Sequence, residues 1–179
     1  QIGALDIYNP ENTFLEEGRI DNKDFVQDRA LGANGKTEDY LRNNSEQSQK
    51  QLIENFFDWI KSVRIKNCIC QNPNFDWGFI VQKARKYGLK APFHYRTFDL
   101  HSFAQERYRQ LNGDFLFEED HSEMDLPNIL KLCGMKDNRK AHNALEDAKL
   151  TAECFSRIAF GKPLLSEFSQ YKLPDYLTK

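Results

Sequence analysis

Residues 141–152 have the sequence AHNALEDAKLTA, which places a histidine five residues before a carboxylate at the start of an alanine-rich helix. Small apolar residues recur every four positions: Ala144, Ala148 and Ala152. They predict one helix face that presses closely against a sheet. Five helical residues turn through about 500°, which separates His142 and Asp147 by about 140° around the axis. The two side chains therefore face one site only if His142 lies on the loop before the helix.

A mobile imidazole beside a fixed carboxylate is typical of a general base next to a metal ligand. Taken alone, the same stretch fits equally well a capped helix that carries a surface histidine. The rest of the sequence is needed to choose between these two interpretations.

The chain of 179 residues is long enough for one domain with its own core, and its 40% apolar and 29% charged residues are typical of a soluble globular protein. A net charge of −2 argues against a protein that grips long nucleic acids by charge alone. An enzyme that holds a few nucleotides through metal ions remains compatible with this charge. The sequence contains no apolar run long enough to cross a membrane and no secretory signal pattern at its start.

The four cysteines do not have the spacing of a metal site. Cys68 and Cys70 alternate on a predicted strand, whereas Cys133 and Cys154 are isolated. A zinc site needs a second close pair of ligands, which neither isolated cysteine supplies. We interpret all four as reduced, mostly buried thiols, which predicts a reducing, cytoplasmic compartment.

Hydrophobic periodicity and turn residues predict alternating strands and helices. The predicted elements are hairpin strands 2–8 and 13–20, an irregular segment 21–48, helix 48–63, strand 63–70, helix 77–87, strand 95–98, helices 100–111 and 126–133, and a last helix that ends near Phe160. This order predicts a single α/β domain, residues 1–160, with a mixed sheet flanked by helices, followed by a tail, residues 161–179.

A second motif, Asn72-Pro-Asn-Phe75-Asp76, follows the predicted strand 63–70. Sites in α/β sheets form beyond the strand ends, which is where Asp76 is expected. Alone, such a segment is most often a helix-capping turn. Together with His142 and Asp147 about 70 residues later, it forms a fairly specific pattern.

In this order and spacing the two motifs resemble the DnaQ-like, or DEDDh, family of 3′–5′ exonucleases, which includes the epsilon proofreading subunit of bacterial replicative polymerases, RNase T and oligoribonuclease. The resemblance covers about residues 1–160. Residues 72–76 match the second exonuclease motif, residues 126–134 resemble the helix that leads to the third, and residues 142–147 match the third.

The resemblance implies a ribonuclease H-like fold and a two-metal-ion phosphodiester hydrolase that uses Mg²⁺ or Mn²⁺. It implies that Asp147 binds the first ion, that Asp76 supports the second, and that His142 takes the proton from the attacking water. Asn72 and Phe75 are the expected substrate contacts. The implied substrate is the 3′ end of single-stranded DNA or RNA, from which nucleoside monophosphates are released. The basic loop of Lys136, Arg139 and Lys140 is a further candidate for phosphate contact.

The sequence departs from the family in its first motif, Asp-x-Glu, which belongs on a central strand just before the segment that Gln1 begins. We expect that upstream residues are missing and that residues 1–179 form no complete sheet, because the neighbours of the absent strand leave backbone groups unpaired. We also expect weak binding of divalent ions and no activity from these residues alone, since two carboxylates do not balance two dications. A less favoured interpretation takes Leu5-Asp6-Ile7-Tyr8 as a decayed first motif.

Two alternative functions stay open. One is a catalytically inactive module of the same fold that binds nucleic acid or protein. The other is an unrelated α/β protein in which both motifs only cap helices. The sequence does not choose between DNA, RNA and short oligonucleotides, nor does it determine whether a protein partner or a second copy binds.

Overall fold

The computed structural model describes residues 1–43, 45–139 and 143–178, and these form an α/β fold. The strands are β1 (Ile2–Asp6), β2 (Asn9–Glu16), β3 (Ile69–Cys70), β4 (Phe98–Asp99), β5 (Phe117–Glu118) and β6 (His121–Ser122). The helices are α1 (Asp28–Asn34), α2 (Glu38–Leu41), α3 (Gln49–Ser62), α4 (Pro73–Lys86), α5 (Leu100–Asn112), α6 (Leu126–Leu132) and α7 (Ala144–Phe160). Two 3₁₀ turns follow, Ser166–Phe168 and Asp175–Leu177.

The strands form three separate pairs. β1 and β2 make an antiparallel hairpin, β3 and β4 pair in parallel, and β5 and β6 make a short second hairpin. Within the described residues no backbone ladder joins one pair to another. The expectation that these residues form no continuous sheet is therefore confirmed for the described part of the chain.

Helix α7 packs across β1 and β3, which belong to two strand pairs that no ladder connects. The approach to β1 is closest at Gly3, where an added Cβ would lie 2.1 Å from the carbonyl carbon of Ala144 and 2.2 Å from the amide nitrogen of Leu145. The Gln1 side chain also accepts a hydrogen bond from the Ala144 amide at 2.9 Å. The prediction that this helix presses closely against a strand is confirmed at Ala144, whereas the predicted contacts of Ala148 and Ala152 stay predictions.

Two hydrophobic clusters form the core. The first joins β2, α3 and α4 through Phe14, Leu52, Ile53, Phe56, Phe57, Ile60 and Ala84. The second joins α5, α6, α7 and the tail, and includes Leu100, Ile129, Leu130, Cys154, Phe155 and Leu177. The apolar stripe that predicted α3 is the face that this helix buries, and Ser48 caps its start by accepting a hydrogen bond from the Gln51 amide.

Several predicted boundaries are wrong, since β2 spans Asn9–Glu16 rather than 13–20 and β4 spans Phe98–Asp99 rather than 95–98. The predicted strand 63–70 is a strand only at Ile69–Cys70, because β4 offers it a pairing register of two residues and the preceding residues have no ladder partner. Helix α4 begins at Pro73 rather than near Trp77, since proline at the first helical position supplies the helical φ and its missing N–H is not needed there. Asp76 therefore lies in the first turn of α4.

All four cysteines are free thiols, with Cys133 and Cys154 buried and Cys68 and Cys70 half-buried, as predicted. Across the described residues, no helix combines the length and the apolar character that crossing a membrane requires.

Candidate active site

Asp76 is held just beyond the end of β3 by a tight turn. Asn72 adopts the left-handed conformation (φ 65°), and Pro73 then starts α4. The Asn72 amide donates to Oδ1 of Asp99 at 3.2 Å, and the same oxygen accepts from the His101 amide at 3.1 Å. One carboxylate on β4 thereby orders both the turn before α4 and the start of α5.

The Asp76 carboxyl lies next to the thiols of β3. Desolvation raises the pKa of Asp76 even though its side chain reaches solvent. Burial raises the pKa of Cys68 to about 11, with a further contribution from the negative charge of Asp76, and the same two causes raise the pKa of Cys70. Both thiols are therefore protonated at neutral pH, which makes them poor nucleophiles and poor metal ligands. Asp76 is left as the reactive group at this end of the strand.

Asp147 lies in the first turn of α7. The helix is capped by Asn143, whose side chain accepts hydrogen bonds from the amides of Leu145 at 3.0 Å and Glu146 at 3.2 Å. A carboxylate in this turn is stabilised by the positive end of the helix dipole. Oδ1 of Asp147 accepts a hydrogen bond from Nη1 of Arg139 at 2.8 Å.

Arg139 also forms a two-pronged ion pair with Asp137, with Nε to Oδ1 at 2.9 Å and Nη2 to Oδ2 at 2.6 Å. The hydrogen bonds that the guanidinium donates to Asp137 and to Asp147 raise its pKa, and only 15% of this side chain is exposed. The structure thus places a fixed positive charge at the carboxylate that the sequence assigns to a metal. Arg139 was expected to contact phosphate, and no sequence signal indicated its pairing with Asp147.

The aromatic residues beside Asp76 divide into one exposed and one packed ring. Phe75 is 67% exposed, and its ring lies 5.8 Å from that of Phe79 on the outer face of α4. Trp77 is half-buried and packs against Phe93 with ring centroids 4.5 Å apart. Phe75 is therefore available for stacking, whereas the Trp77 ring is occupied by its contact with Phe93.

Comparison with known proteins bears on the chemistry of this arrangement. The exonuclease family model named RNase T matches residues 1–155, which is most of the chain. The chain belongs to the DEDDh exonuclease family.

Two solved structures of DEDDh-type exonucleases share the fold. One is the nuclease domain of 3′hExo bound to rAMP, with a TM-score of 0.64 and 19% identity over 90% of this chain and 79% of that one. The other shows recognition of the histone mRNA stem-loop by a 3′-exonuclease, with a TM-score of 0.63 and 18% identity over 86% of this chain and 66% of that one. Both support a ribonuclease H-like fold. A search of curated proteins gave no significant match.

The third exonuclease motif is described only in part. His142 lies outside the described residues, so its predicted role as the general base stays a prediction. The described helix begins at Ala144, with Asn143 as its cap.

The carboxylates of this DEDDh chain are the right kind of ligand for Mg²⁺ or Mn²⁺, which prefer oxygen donors. Two of them, Asp76 and Asp147, lie at the predicted motif positions. Within residues 1–43, 45–139 and 143–178, no group of three His, Cys, Asp or Glu side chains lies close enough together to hold a metal ion. Asp76 and Asp147 thus fit as part of a metal site, and the roles of the predicted site residues remain proposals.

Proposed function

We propose that this chain is a metal-dependent 3′–5′ exonuclease that hydrolyses phosphodiester bonds at the 3′ end of single-stranded DNA or RNA and releases nucleoside monophosphates. The observation that carries the proposal is the placement of two motif carboxylates. Asp76 and Asp147 each lie in the first turn of a helix, and both helices pack against β3. Family membership supports nuclease chemistry for this pair.

In this proposal Asp147 and Asp76 hold divalent ions, Mg²⁺ or Mn²⁺, and His142 takes the proton of the attacking water. Bound ions would supply a more acidic water and charge stabilisation for the leaving 3′ oxygen. Asn72 and Phe75 contact the terminal nucleotides. The exposed ring of Phe75 supports a stacking role, which suits any base because every base has a flat aromatic face.

Arg139 affects how an ion reaches Asp147. Its guanidinium already compensates the carboxylate charge at 2.8 Å, so an ion competes with it for the same oxygen. The arginine therefore lowers the affinity of this carboxylate for a cation until the ion pair rearranges.

The substrate class is supported by what the two structural neighbours bind. One holds rAMP, and the other recognises an RNA stem-loop at its 3′ end. By extension to this chain, an RNA or DNA 3′ end is the proposed partner. The four free thiols support a cytoplasmic, reducing compartment.

The proposal is tested with 5′-labelled single-stranded DNA and RNA of 20 nucleotides incubated with the purified natural full-length protein and Mn²⁺, because no activity is expected from residues 1–179 alone. We expect a ladder of products that shortens from the 3′ end, and its loss in Asp147→Ala. Glu146→Ala is the matched control, because it removes an exposed carboxylate from the same helical turn and should retain the ladder. Shortened products that still carry the 5′ label also establish that degradation proceeds from the 3′ end.

A non-catalytic module of the same fold is the second candidate. It is favoured by the Arg139–Asp147 ion pair and by the lack of a three-ligand cluster within the described residues. Absence of cleavage by the folded full-length protein, with both substrates and with both Mg²⁺ and Mn²⁺, would establish this alternative over the exonuclease.

A further inference from the structure

The loops that lead into β3 and β4 run side by side. The His94 amide donates to the carbonyl of Lys66 at 2.7 Å, and the side-chain amide of Asn67 donates to the carbonyl of Arg96 at 2.9 Å. The Arg96 amide in turn donates to Nδ1 of His94 at 3.2 Å. The two loops therefore form one ordered surface rather than two independent segments.

This surface has an excess of positive charge. The two loops, residues 63–68 and 87–97, contain four Lys and Arg and no acidic residue, a net charge of +4, whereas the whole chain has −2. By contrast, Lys86 on the helix between the loops is compensated by Asp21 at 2.6 Å. Arg64, Lys66 and Arg96 form no ion pair with any carboxylate among the described residues.

An exposed aromatic ring lies among these cations. Tyr95 is 68% exposed, its ring stacks on that of His94 at 4.5 Å, and the guanidinium of Arg96 lies 5.5 Å from the ring centroid. The loop is anchored from below by Phe93, whose ring meets Phe57 edge-on at 5.6 Å. An exposed ring held in place beside a guanidinium, on loops that carry further cations, is the combination with which proteins bind single-stranded nucleic acid, by stacking a base and neutralising phosphates.

We propose that Arg64, Lys66, His94, Tyr95 and Arg96, here termed the basic loop surface, bind a single-stranded nucleic acid at a distance from the candidate active site. Because β3 and β4 are parallel, the loops that enter them lie at the opposite end of the strands from Asp76. The inference rests on the proposed function only in taking the bound strand to be the substrate. It adds that long strands bind at two places, whereas very short ones bind at the catalytic end alone.

The test measures binding without cleavage. Fluorescence anisotropy in EDTA would compare 5′-labelled oligonucleotides of 4 and 20 nucleotides, as DNA and as RNA, binding to the wild type and to R64Q/K66Q/R96Q. We expect the triple variant to bind the 20-mer at least about tenfold more weakly, with a salt slope smaller by about 2, since each phosphate contact on a single strand contributes about 0.7. Binding of the 4-mer should not change.

Tyr95→Ala separates stacking from charge. It should weaken binding of the 20-mer by about tenfold and leave the salt slope unchanged. The matched control is K50Q/K61Q/K131Q, which removes three exposed cations from α3 and α6 and changes the net charge equally. This control should bind both oligonucleotides like the wild type.

Equal losses in R64Q/K66Q/R96Q and in the control would overturn the inference, because bulk charge alone would then explain them. Unchanged binding of the 20-mer by the triple variant and by Tyr95→Ala would also overturn it, as would a surface that binds an acidic peptide and no oligonucleotide. If only the exonuclease proposal is wrong, the outcome differs. The 3′ end is then not shortened in Mn²⁺, but oligonucleotide binding in EDTA still depends on the basic loop surface.

Discussion

Gly3 is the residue at which the hairpin and α7 come closest. An added Cβ there would overlap the backbone of Ala144 and Leu145, and backbone atoms cannot rotate away as a flexible side chain can. The backbone at the start of α7 and the glycine of β1 are therefore two halves of one contact. The lack of a side chain at Gly3 is what lets the helix that carries Asp147 lie so close to the strand.

We expect Gly3→Ala to destabilise the protein by roughly 1–3 kcal/mol, the usual cost of forcing extra volume into a packed contact. Gly78→Ala is the matched control, because Gly78 lies within α4 and an added Cβ meets nothing within 4 Å. Replacing a helical glycine by alanine should stabilise by about 0.5–1 kcal/mol. Urea unfolding of both variants measures the difference, and equal effects would contradict the close contact at Gly3.

Arg139 shows how one residue changes the interpretation of a motif. The spacing of residues 142–147 predicts a ligand at Asp147, but a buried arginine already satisfies that carboxylate. The partner comes from a loop eight residues earlier in the chain. Its consequence is measurable as a change in the affinity of the protein for Mn²⁺.

Among the elements, α7 is joined to the tail by an ion pair that is fully buried. Glu153 and Arg157, four residues apart, pair at 2.7 Å with no exposed side-chain surface. Glu153 accepts hydrogen bonds from the backbone amides of Leu164 and Leu165, each at 2.8 Å. Arg157 donates to the carbonyl of Cys133 at 3.1 Å and to that of Tyr171 at 3.0 Å. The pair therefore provides hydrogen-bond partners for the backbone of two other segments.

Arg157→Met should destabilise the protein by about 3–5 kcal/mol, because it leaves the Glu153 carboxylate buried without a counter-charge. The double variant Glu153→Gln with Arg157→Met should lose less, since no unpaired charge remains. Thermal and urea unfolding of the single and double variants test this. A single variant that is as stable as the double one would show that the buried charge is not the dominant cost.

A second contact between elements joins the loop before α1 to the end of α4. Desolvation raises the pKa of Asp24, but hydrogen bonds from Lys86, from the Asp21 amide and from Gln49 outweigh it and lower the pKa to about 2. The ionised form is therefore favoured in the folded state. A carboxyl whose pKa is lowered by folding stabilises the fold at pH values above 3.8, its pKa in the unfolded chain. That contribution disappears as the pH falls towards 2.

We expect Asp24→Asn to cost roughly 1 kcal/mol at pH 7 after allowance for solvent screening of this partly exposed cluster. The difference from wild type should shrink between pH 4 and about pH 2. Urea unfolding across this pH range measures it. In a Lys86→Gln background the same substitution should have a smaller effect, and an undiminished effect there would contradict the assigned partner.

At the scale of the whole molecule, α7 bridges two strand pairs that no ladder connects. The first core cluster lies under the hairpin and the second lies around α7 and the tail. Asp76 and Asp147 are carried at this junction, on helices that both contact β3. The described residues supply these two carboxylates and no third ligand close enough to complete a metal site.

We therefore expect residues 1–179 to bind Mn²⁺ weakly and without a tight two-ion stoichiometry. Two carboxylates do not balance two dications, and Arg139 already compensates one of them. Isothermal titration calorimetry measures this directly. Arg139→Gln should bind Mn²⁺ more tightly than the wild type, and tight binding of two ions by the unmodified chain would contradict the interpretation of the site.

Several elements follow from local sequence because their causes are local. The apolar stripe from Leu52 to Ile60 predicts α3, and Gly161, with φ 62°, ends α7 where its position indicates. The predicted length of the strand before Asp76 is too great, because strand length depends on a pairing partner that sequence periodicity does not reveal. The division of the chain at residue 160 stays a prediction, as do the roles of Asn72, Phe75, Asp76, His142 and Asp147.

The sequence by itself determined the family, the order of helices and strands, and the positions of the two carboxylate motifs, since motif spacing and hydrophobic periodicity are properties of neighbouring residues. Only the tertiary structure decided which charges are compensated. It paired Arg139 with Asp147, buried Glu153 against Arg157, and, among the described residues, left Arg64, Lys66 and Arg96 without carboxylate partners. Ion pairing and exposure depend on which distant segments meet, and the packing of the whole chain determines those meetings.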